Sequence, residues 1–451
     1  MFTKKQIWSL LIPLMAEQVL TAMMGSVDTM MVSNAGSAAI SAVSLVDAIN
    51  VLIIQVFSAM ATGGTIVCAQ YLGAQKKDEA NRAGGQLVMT VLVLSLAIAG
   101  IFVALRWPML NLIFGTIEQA VMADAEIYFF ITALSYPFIA LYNAGAALFR
   151  VDGHSRLPLI VSTGCNLVNI VGNALLIFGM NMGVAGAALA TLVSRALSAV
   201  IILLFLRKPR QTIVVRNYRA IRPDFPMIRR ILAVGIPTGV ENGMFQFGKL
   251  AIQSTVSTMG TVAIAAQAMT ATLEGFSSYA SIGIGLGMMT IVGQCIGAGR
   301  IDEARRYTKK LSLYGGLGIL ASCMAVAALI RPITIMGGME PEAAEMTIQL
   351  TWLICIVKPF LWTLSFMPAY GMRAAGDVRF SMLVATATMW LCRVLVTILL
   401  VRLFGMGPLA VWLGMFSDWF VRSVIFSVRF RGDKWIHRRM TDAHAPEETP
   451  A

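Results

Sequence analysis

Two carboxylates, Glu17 and Asp28, stand in residues 7–34, IWSLLIPLMAEQVLTAMMGSVDTMMVSN, a stretch otherwise suited to hydrocarbon. At 100° per residue, eleven residues bring Asp28 back to within about 20° of Glu17 and roughly 16 Å further along the same helix face. An aspartate at the centre of a spanning helix costs about 2.5–3.5 kcal/mol on insertion scales, so it turns toward a bundle interior or a watery cavity. The two acids are therefore read as one stripe facing a path through a membrane. The second half of the chain carries its own charges in apolar surroundings: Glu241, Lys249, Glu274 and Lys358, the last directly before Pro359. Pairing of Lys358 with Glu241 or Glu274 lowers the cost of burying either carboxylate, and that pairing is expected. Asp47 and Asp418 fall nearer predicted helix ends, where a solvated or capping position suffices.

Covalent or metal chemistry finds little support. There is no HExxH and no GxSxG; His154 falls in a loop, and His437 and His444 fall in the tail. Cys68, Cys165, Cys295, Cys323, Cys355 and Cys392 form no CxxC pair and have no neighbouring histidine, as expected of buried, inert thiols. Gly283, Gly285 and Gly287 lie in mid-helix rather than after a strand, which means close packing and not a phosphate loop. The chain is read as no enzyme and as needing no cofactor.

The elements that must carry these charges are membrane helices. With 57% hydrophobic and 13% charged residues the chain is far more apolar than soluble proteins, about a quarter of whose residues are charged. The net charge of +12 forms no basic domain and no aromatic-interleaved patch, so nucleic acid is not an expected partner. Apolar helical runs fall at 7–33, 43–70, 86–106, 123–148, 158–180, 184–206, 229–257, 266–295, 309–331, 344–372, 381–404 and 408–428. Twelve such runs, apolar all round, predict an all-α polytopic membrane protein rather than a barrel. Alternate connections carry the Lys and Arg, at 4–5, 76–82, 150–156, 207–230, 300–310, 373–379 and 429–439; the others hold only the span-end Arg106, Arg331 and Arg402. The positive-inside rule then puts both termini in the cytoplasm. The N-terminus has no small-residue cleavage site and runs into a full span, so it is read as retained.

The two halves repeat. An offset of 224 matches Pro13 with Pro237, Glu17 with Glu241, Gly36 with Gly260 and Gln70 with Gln294, and the loop GAQKKDEA at 73–80 with GAGRIDEA at 297–304. An offset of 223 pairs RVDGHSR at 150–156 with RAAGDVR at 373–379. Six spans per repeat, an even number, give both halves the same orientation about an axis along the membrane normal, the usual basis of alternating access. The predicted domains are a six-helix bundle at 1–206, a basic cytoplasmic linker at 207–228, a second six-helix bundle at 229–430, and a cytoplasmic tail at 431–451, partly disordered. The linker's charge is ascribed to topology and to anionic headgroups.

Several stretches together resemble the multidrug and toxic compound extrusion (MATE) transporters over essentially residues 1–435. They are VDTMMVSNAG at 27–36, AQYLGA at 69–74 and QCIGAG at 294–299, NIVGN at 169–173, MGVAGAALAT at 182–191, GIPTG at 235–239 and RAAGD at 373–377. The resemblance implies a secondary antiporter that expels organic cations or other amphipathic compounds in exchange for protons or sodium. It also implies an N-lobe cation site at Asp28, Asn169, Asn173 and Thr191, with Na+ held at Asp28, Asn169 and Asn173 where sodium is the coupling ion. The residues themselves agree in part: Asn166, Asn169 and Asn173 share one helical stripe, and their amide oxygens suit a hard monovalent cation. Asn173 is an aspartate in one branch of that family, which leaves Asp28 as the single formal charge. A lone carboxylate can be neutralised by a proton and the carboxamides can support sodium, so both coupling ions stay open. The acidic pair of some relatives falls on Phe245 and Trp362 here, and Asp28 corresponds to Ile252 in the second repeat, so coupling is expected in the N-lobe alone.

Glu17 and Glu241 are candidates for gating or for locking a bent helix, and Glu274 and Lys358 for handling substrate or protons. The methionines, such as Met23 and Met30, offer an adaptable wall for varied ligands. A monomer in the cell membrane is expected. The rival readings are a lipid-linked oligosaccharide flippase, which needs a cationic cavity, and a channel, which the bent-helix repeats disfavour against alternating access.

Overall fold

The computed structural model describes residues 1–33, 36–115, 117–209, 211–218 and 221–436, without the side chains at 26, 29 and 33. The tail expected to be disordered falls outside the described residues from 437 onward, as do Arg210 and Arg219 of the linker. Every regular element among the described residues is helical. Ten helices are long and apolar enough to cross a bilayer, or eleven when one bent pair counts as a span. The protein is thus an all-α, multi-pass membrane protein. The seventh predicted span is a helix of 32 residues, Phe225–Val256, whose apolar character is diluted by Arg229, Arg230, Glu241 and Lys249.

The described residues divide into two compact units, one within 4–68 and 76–239, the other within 1–3, 69–75 and 240–436. The first contains α1 (Lys4–Ser33), most of α2 (Ser37–Gly73), α3 (Lys77–Ala104), α4 (Arg106–Phe114), α5 (Gln119–Leu134), α6 (Tyr136–Val151), α7 (Arg156–Asn173) and α8 (Gly183–Leu206). Helix α8 packs on α5, α6 and α7, while α1 lies on α7 and α3 on α6. One core gathers Val43, Val46 and Ile49 of α2, Ala125 and Phe129 of α5, and Val184 and Ala188 of α8.

The fourth predicted span, 123–148, is not one helix: α5 and α6 meet at Ser135 with a bend of 42°. Pro137, the second residue of α6, has no N–H to donate and crowds the preceding turn, which breaks the ladder. At the break Ser135 donates to the Thr132 carbonyl through both its backbone N–H (3.0 Å) and its Oγ (2.6 Å). Pro108 similarly follows the break at Leu105 that separates the short α4 from α3. Helix α7 runs on into a π-helical turn, Ala174–Gly179. The linker does not hang free of this unit. Val214 N donates to Asn81 Oδ1 (2.8 Å), Gln86 Nε2 to the Arg222 carbonyl (2.7 Å), and Ile213 is buried against Gly84.

The second unit contains α9 (Phe225–Val256) from Val240, then α10 (Thr261–Gly297), α11 (Ile301–Met336), α12 (Pro341–Ala374), α13 (Val378–Thr388), a π-helical turn Met389–Leu395, α14 (Val396–Phe404) and α15 (Leu409–Arg431). Helices α10, α11 and α12 pack on one another and α15 packs on α12. The repeated Gln-x-x-Gly sequences have a packing cause. A Cβ on Gly73 would run into the Gln294 carbonyl, and one on Gly297 into that of Gln70, so the ends of α2 and α10 meet backbone to backbone. Gln70 Nε2 then reaches the Ala374 carbonyl at 2.8 Å. Gly285 sits in mid-α10 under the Tyr370 ring, in keeping with close packing.

Candidate ion and substrate sites

In the first unit, α1, α7 and α8 bring Asp28, Asn169, Asn173 and Thr191 into one cluster. Asn173, fully buried at the end of α7, donates through Nδ2 to Asp28 Oδ1 and to Asn169 Oδ1, the latter at 3.4 Å. The Asn169 carboxamide fits two ways. With its nitrogen toward Thr191 it donates to Oγ1 at 3.3 Å and turns its oxygen toward the acceptors of Asp28. Turned over, it donates to Asp28 Oδ1 at 3.1 Å and accepts from Thr191 N and Oγ1, both at 3.3 Å. The first orientation collects oxygens; the second closes the cluster on itself. Asn173 Oδ1 is buried without a hydrogen-bond partner among the described residues. Asn166, also on the stripe, is half-buried and outside the cluster.

A second polar group adjoins it. Asp47 lies inside α2, not near a helix end: it accepts from Asn50 Nδ2 (3.0 Å) and from Tyr128 Oη (3.2 Å), and Tyr136 Oη donates to Asn50 Oδ1 (2.8 Å). Arg195 of α8 donates to Ser135 Oγ at 2.7 Å, and its charge reaches both Asp28 and Asp47. Asp418 is likewise interior to α15, fully buried, and accepts from Arg422 Nη2 at 2.9 Å, one turn along. Burial away from water requires such partners, so a capping role is ruled out for both acids.

The repeated glutamates hold matching positions. Glu17 Oε1 accepts from Arg150 Nη2 (2.8 Å) and Tyr142 Oη (3.3 Å), which joins α1 to α6. Glu241 Oε1 accepts from Arg373 Nη2, which joins α9 to α12. Each glutamate follows a helix-internal proline, Pro13 or Pro237. Glu241 is therefore not the partner of Lys358. That partner is Glu274: Lys358 Nζ, fully buried, stands 2.7 Å from Glu274 Oε1 and donates at 2.6 Å to Ser277 Oγ, Ser278 Oγ and the Glu274 carbonyl. The stripe of the sequence reading thus separates into two unlike sites, Glu17 in an ion pair and Asp28 among carboxamides.

Basic residues read as loop markers leave three in-span arginines out of the sequence reading, Arg195, Arg393 and Arg422. The signal was there, a lone arginine inside an apolar run, where a charge needs a partner or a cavity. Arg393 lies in the π-helical turn of the second unit, with Phe245 and Lys249 beside it. Phe245 and Trp362, where an acidic pair is missing, are aromatic neighbours of charge or ring: Lys249 and Arg393 flank Phe245, and Trp362 stacks on Phe366.

Known proteins place the whole. The chain is 26% identical to the uncharacterized transporter YisQ of Bacillus subtilis, over 96% of this chain and 95% of YisQ. It is 25% identical to the multidrug resistance protein NorM of Thermotoga maritima, over 96% and 94%. Among solved structures it is similar to an outward-facing multidrug resistance MATE family transporter of the MOP superfamily, with a TM-score of 0.85 and 19% identity over 95% of each chain. It resembles equally, at a TM-score of 0.85, a MOP superfamily transporter from Pyrococcus furiosus described as having a binding pocket of reverse polarity. The family model MatE matches residues 13–175 and again 237–399, one copy on each repeat, and the chain belongs to the MatE family.

Proposed function

We propose that this transporter is a secondary antiporter that expels amphipathic compounds, organic cations among them, by alternating access, with a proton or sodium ion taken up at Asp28, Asn169, Asn173 and Thr191. The relatives named for multidrug resistance support efflux as the direction. The observation that carries the coupling site is the gathering of Asn169 and Asn173 of α7 and Thr191 of α8 at the Asp28 carboxylate of α1. Their donor set fits a hard monovalent cation: a carboxylate, amide oxygens including the orphaned Asn173 Oδ1, and a hydroxyl. With a cation present, Asn169 turns its oxygen inward; without one, or with a proton on Asp28, the carboxamide turns over and bonds the carboxylate and Thr191 itself. The chain acts as a monomer with both termini in the cytoplasm, and the basic linker 207–228 stays on the cytoplasmic face.

Proteoliposomes loaded with a fluorescent cationic dye, under a proton gradient and a sodium gradient imposed separately, test this. One gradient drives dye across the bilayer, and Asp28→Asn abolishes that movement. Dye that follows neither gradient, or an Asp28→Asn variant with wild-type rate and coupling, overturns the reading.

A further inference from the structure

The two copies of the family model stand 224 residues apart at both ends, 13 against 237 and 175 against 399. At that offset Asn169 falls on Arg393, Thr191 on Met415 and Asp28 on Ile252. The contacts follow the offset. Asn169 bonds Thr191 in the first unit, and Arg393 Nη2 meets Met415 Sδ in the second. Arg393 lies inside a π-helical turn, Met389–Leu395, and in the first unit Asn173 directly precedes one, Ala174–Gly179, a geometry that concentrates at functional sites. The second repeat has therefore kept the place of the cation site and put a fixed guanidinium there.

That guanidinium is poorly matched by its own chain. Arg393 is 8% exposed, yet its hydrogen-bond acceptors among the described residues are two thioethers, Met415 Sδ and Met389 Sδ, the latter at 3.9 Å. Thioether sulfur is a weak acceptor, and Arg393 Nε has no hydrogen-bond partner among the described residues. The nearby acids are engaged elsewhere, Glu274 by Lys358 and Asp418 by Arg422. A second cation, Lys249, is exposed and makes no ion pair among the described residues; its Nζ lies 5.0 Å from the centre of the Phe245 ring, whose other neighbour is the Arg393 guanidinium at 5.3 Å. Four cations, Lys249, Lys358, Arg393 and Arg422, thus face two acids in this region, and the surplus sits on the pair that shares the ring. A buried guanidinium with five donors and an ammonium beside the same ring call for an oxyanion, and that ring suits an apolar body attached to it.

We propose that Lys249 and Arg393, with Phe245 beside both, form a subsite for the carboxylate or phosphate of an amphipathic ligand. The subsite gives the exporter of the preceding section, on which this assignment of substrate class rests, a preference for amphipaths that carry an acidic group. The same oxyanion chemistry could reach the subsite from a free amphipath or from a lipid headgroup.

The test uses the full-length protein in phosphatidylcholine nanodiscs and two probes with the same apolar body, dansyl-undecanoic acid and its primary amide. Binding is read as tryptophan-to-dansyl energy transfer above that of empty discs. It needs no gradient, so a failure of coupled transport leaves the result standing, and a failure here leaves the coupling test intact. The wild type is expected to hold the acid about tenfold tighter than the amide, as for one charge-assisted contact. Lys249→Gln and Arg393→Gln each bring the two probes to similar affinity without weakening the amide, and Lys249→Arg keeps the preference. Equal affinity for acid and amide in the wild type, or a preference that survives in both glutamine variants, overturns the proposal. Should Arg393→Gln not yield a monodisperse protein, Lys249→Gln, at an exposed position, decides alone. Repeating the wild-type titration in discs containing phosphatidylglycerol separates the sources: loss of the acid preference there assigns the subsite to a lipid phosphate, and its persistence assigns it to a free amphipath.

Discussion

The two repeats share a frame and differ in the sign of what the frame holds. Both have a glutamate behind a proline paired with an arginine at the end of the fourth span, Glu17 with Arg150 and Glu241 with Arg373. Both build a π-helical turn into the fifth span, at its end in the first repeat and in its middle in the second. Inside that frame, the first unit sets Asp28 and Asp47 against Arg195 and fills the surroundings with carboxamides and phenols. The second sets Lys249, Lys358, Arg393 and Arg422 against Glu274 and Asp418. The frame depends on backbone geometry, which the two copies must both satisfy. The sites depend on side-chain chemistry, which each copy was free to change.

The sharpest way to break the contrast is to remove the negative charge from the first site. Asp28→Asn keeps the shape and the hydrogen bond to Asn173 but leaves carboxamides alone to face a cation. Gradient-driven dye efflux in proteoliposomes is expected to fall to that of protein-free vesicles, while dye binding without a gradient is unchanged. If efflux survives, coupling does not depend on the acid of the first unit and the difference in sign between the units has lost its meaning.

The positive counterpart is expected to answer in stability. Lys358→Met leaves the Glu274 carboxylate, 20% exposed, with Ser278 Oγ as its hydrogen-bond partner, and because the lysine end of the pair is fully buried the loss is expected toward the lower end of the about 3–5 kcal/mol typical of breaking a buried pair from one side. The double variant Lys358→Met with Glu274→Leu removes both charges, and recovery of most of that loss is expected. Thermal unfolding in detergent measures both. A double variant no more stable than the single one would mean that the surrounding Ser277 and Ser278, rather than the charge of Glu274, govern the site.

How far these sites were readable in sequence follows the same division. The frame was legible because it repeats: Glu17 and Glu241, Gln70 and Gln294, Gly73 and Gly297 recur at one offset, and the structure gives each pair a matching contact. Span number and class came from apolar length, which the bilayer imposes. Breaks within spans were harder to see. Pro137 was visible in the fourth apolar run, but a proline can kink a helix or end it, and only packing decides that α5 and α6 bend by 42° at Ser135. The site of the first unit was reached through resemblance, and its residues do converge. Its neighbours Tyr128, Tyr136 and Arg195 were not reached, since aromatic residues and a single arginine in an apolar run have no spacing that announces a network. Lys358 had two candidate partners by sequence, and three dimensions were needed to choose Glu274 over Glu241.

A finer comparison asks whether the matched ion pairs are equivalent. Glu17→Gln removes the counter-charge of Arg150, which is partly exposed, and Glu241→Gln does the same for Arg373. Because each arginine keeps some access to water, each substitution is expected to cost about 2 kcal/mol, less than a fully buried pair. Equal losses in thermal unfolding, with coupled transport slowed alike, support a shared structural role for the two pairs. A transport defect confined to Glu17→Gln, without a matching loss of stability, would return that residue to the ion path with Asp28.

The smallest effect expected is also the one that distinguishes the coupling ions. Thr191→Val removes a hydroxyl bonded to Asn169 at 3.3 Å but keeps the shape of the side chain and the backbone N–H. A lost neutral hydrogen bond is worth about 1 kcal/mol, or roughly a fivefold change in an equilibrium constant. If sodium is the coupling ion, the hydroxyl oxygen is one of its ligands, and the sodium concentration for half-maximal efflux rises by about that factor at constant pH. If a proton is the coupling ion, the hydroxyl only helps to hold the turned-over Asn169 carboxamide against Asp28, and the variant leaves the sodium dependence flat. Its pH dependence then shifts instead, because loosening the bond from Asn169 to the ionised carboxylate favours the protonated form and moves the profile to higher pH. A sodium curve and a pH profile on the same preparation therefore identify the ion from a single methyl-for-hydroxyl exchange, and a variant unchanged in both places Thr191 outside the coupling site.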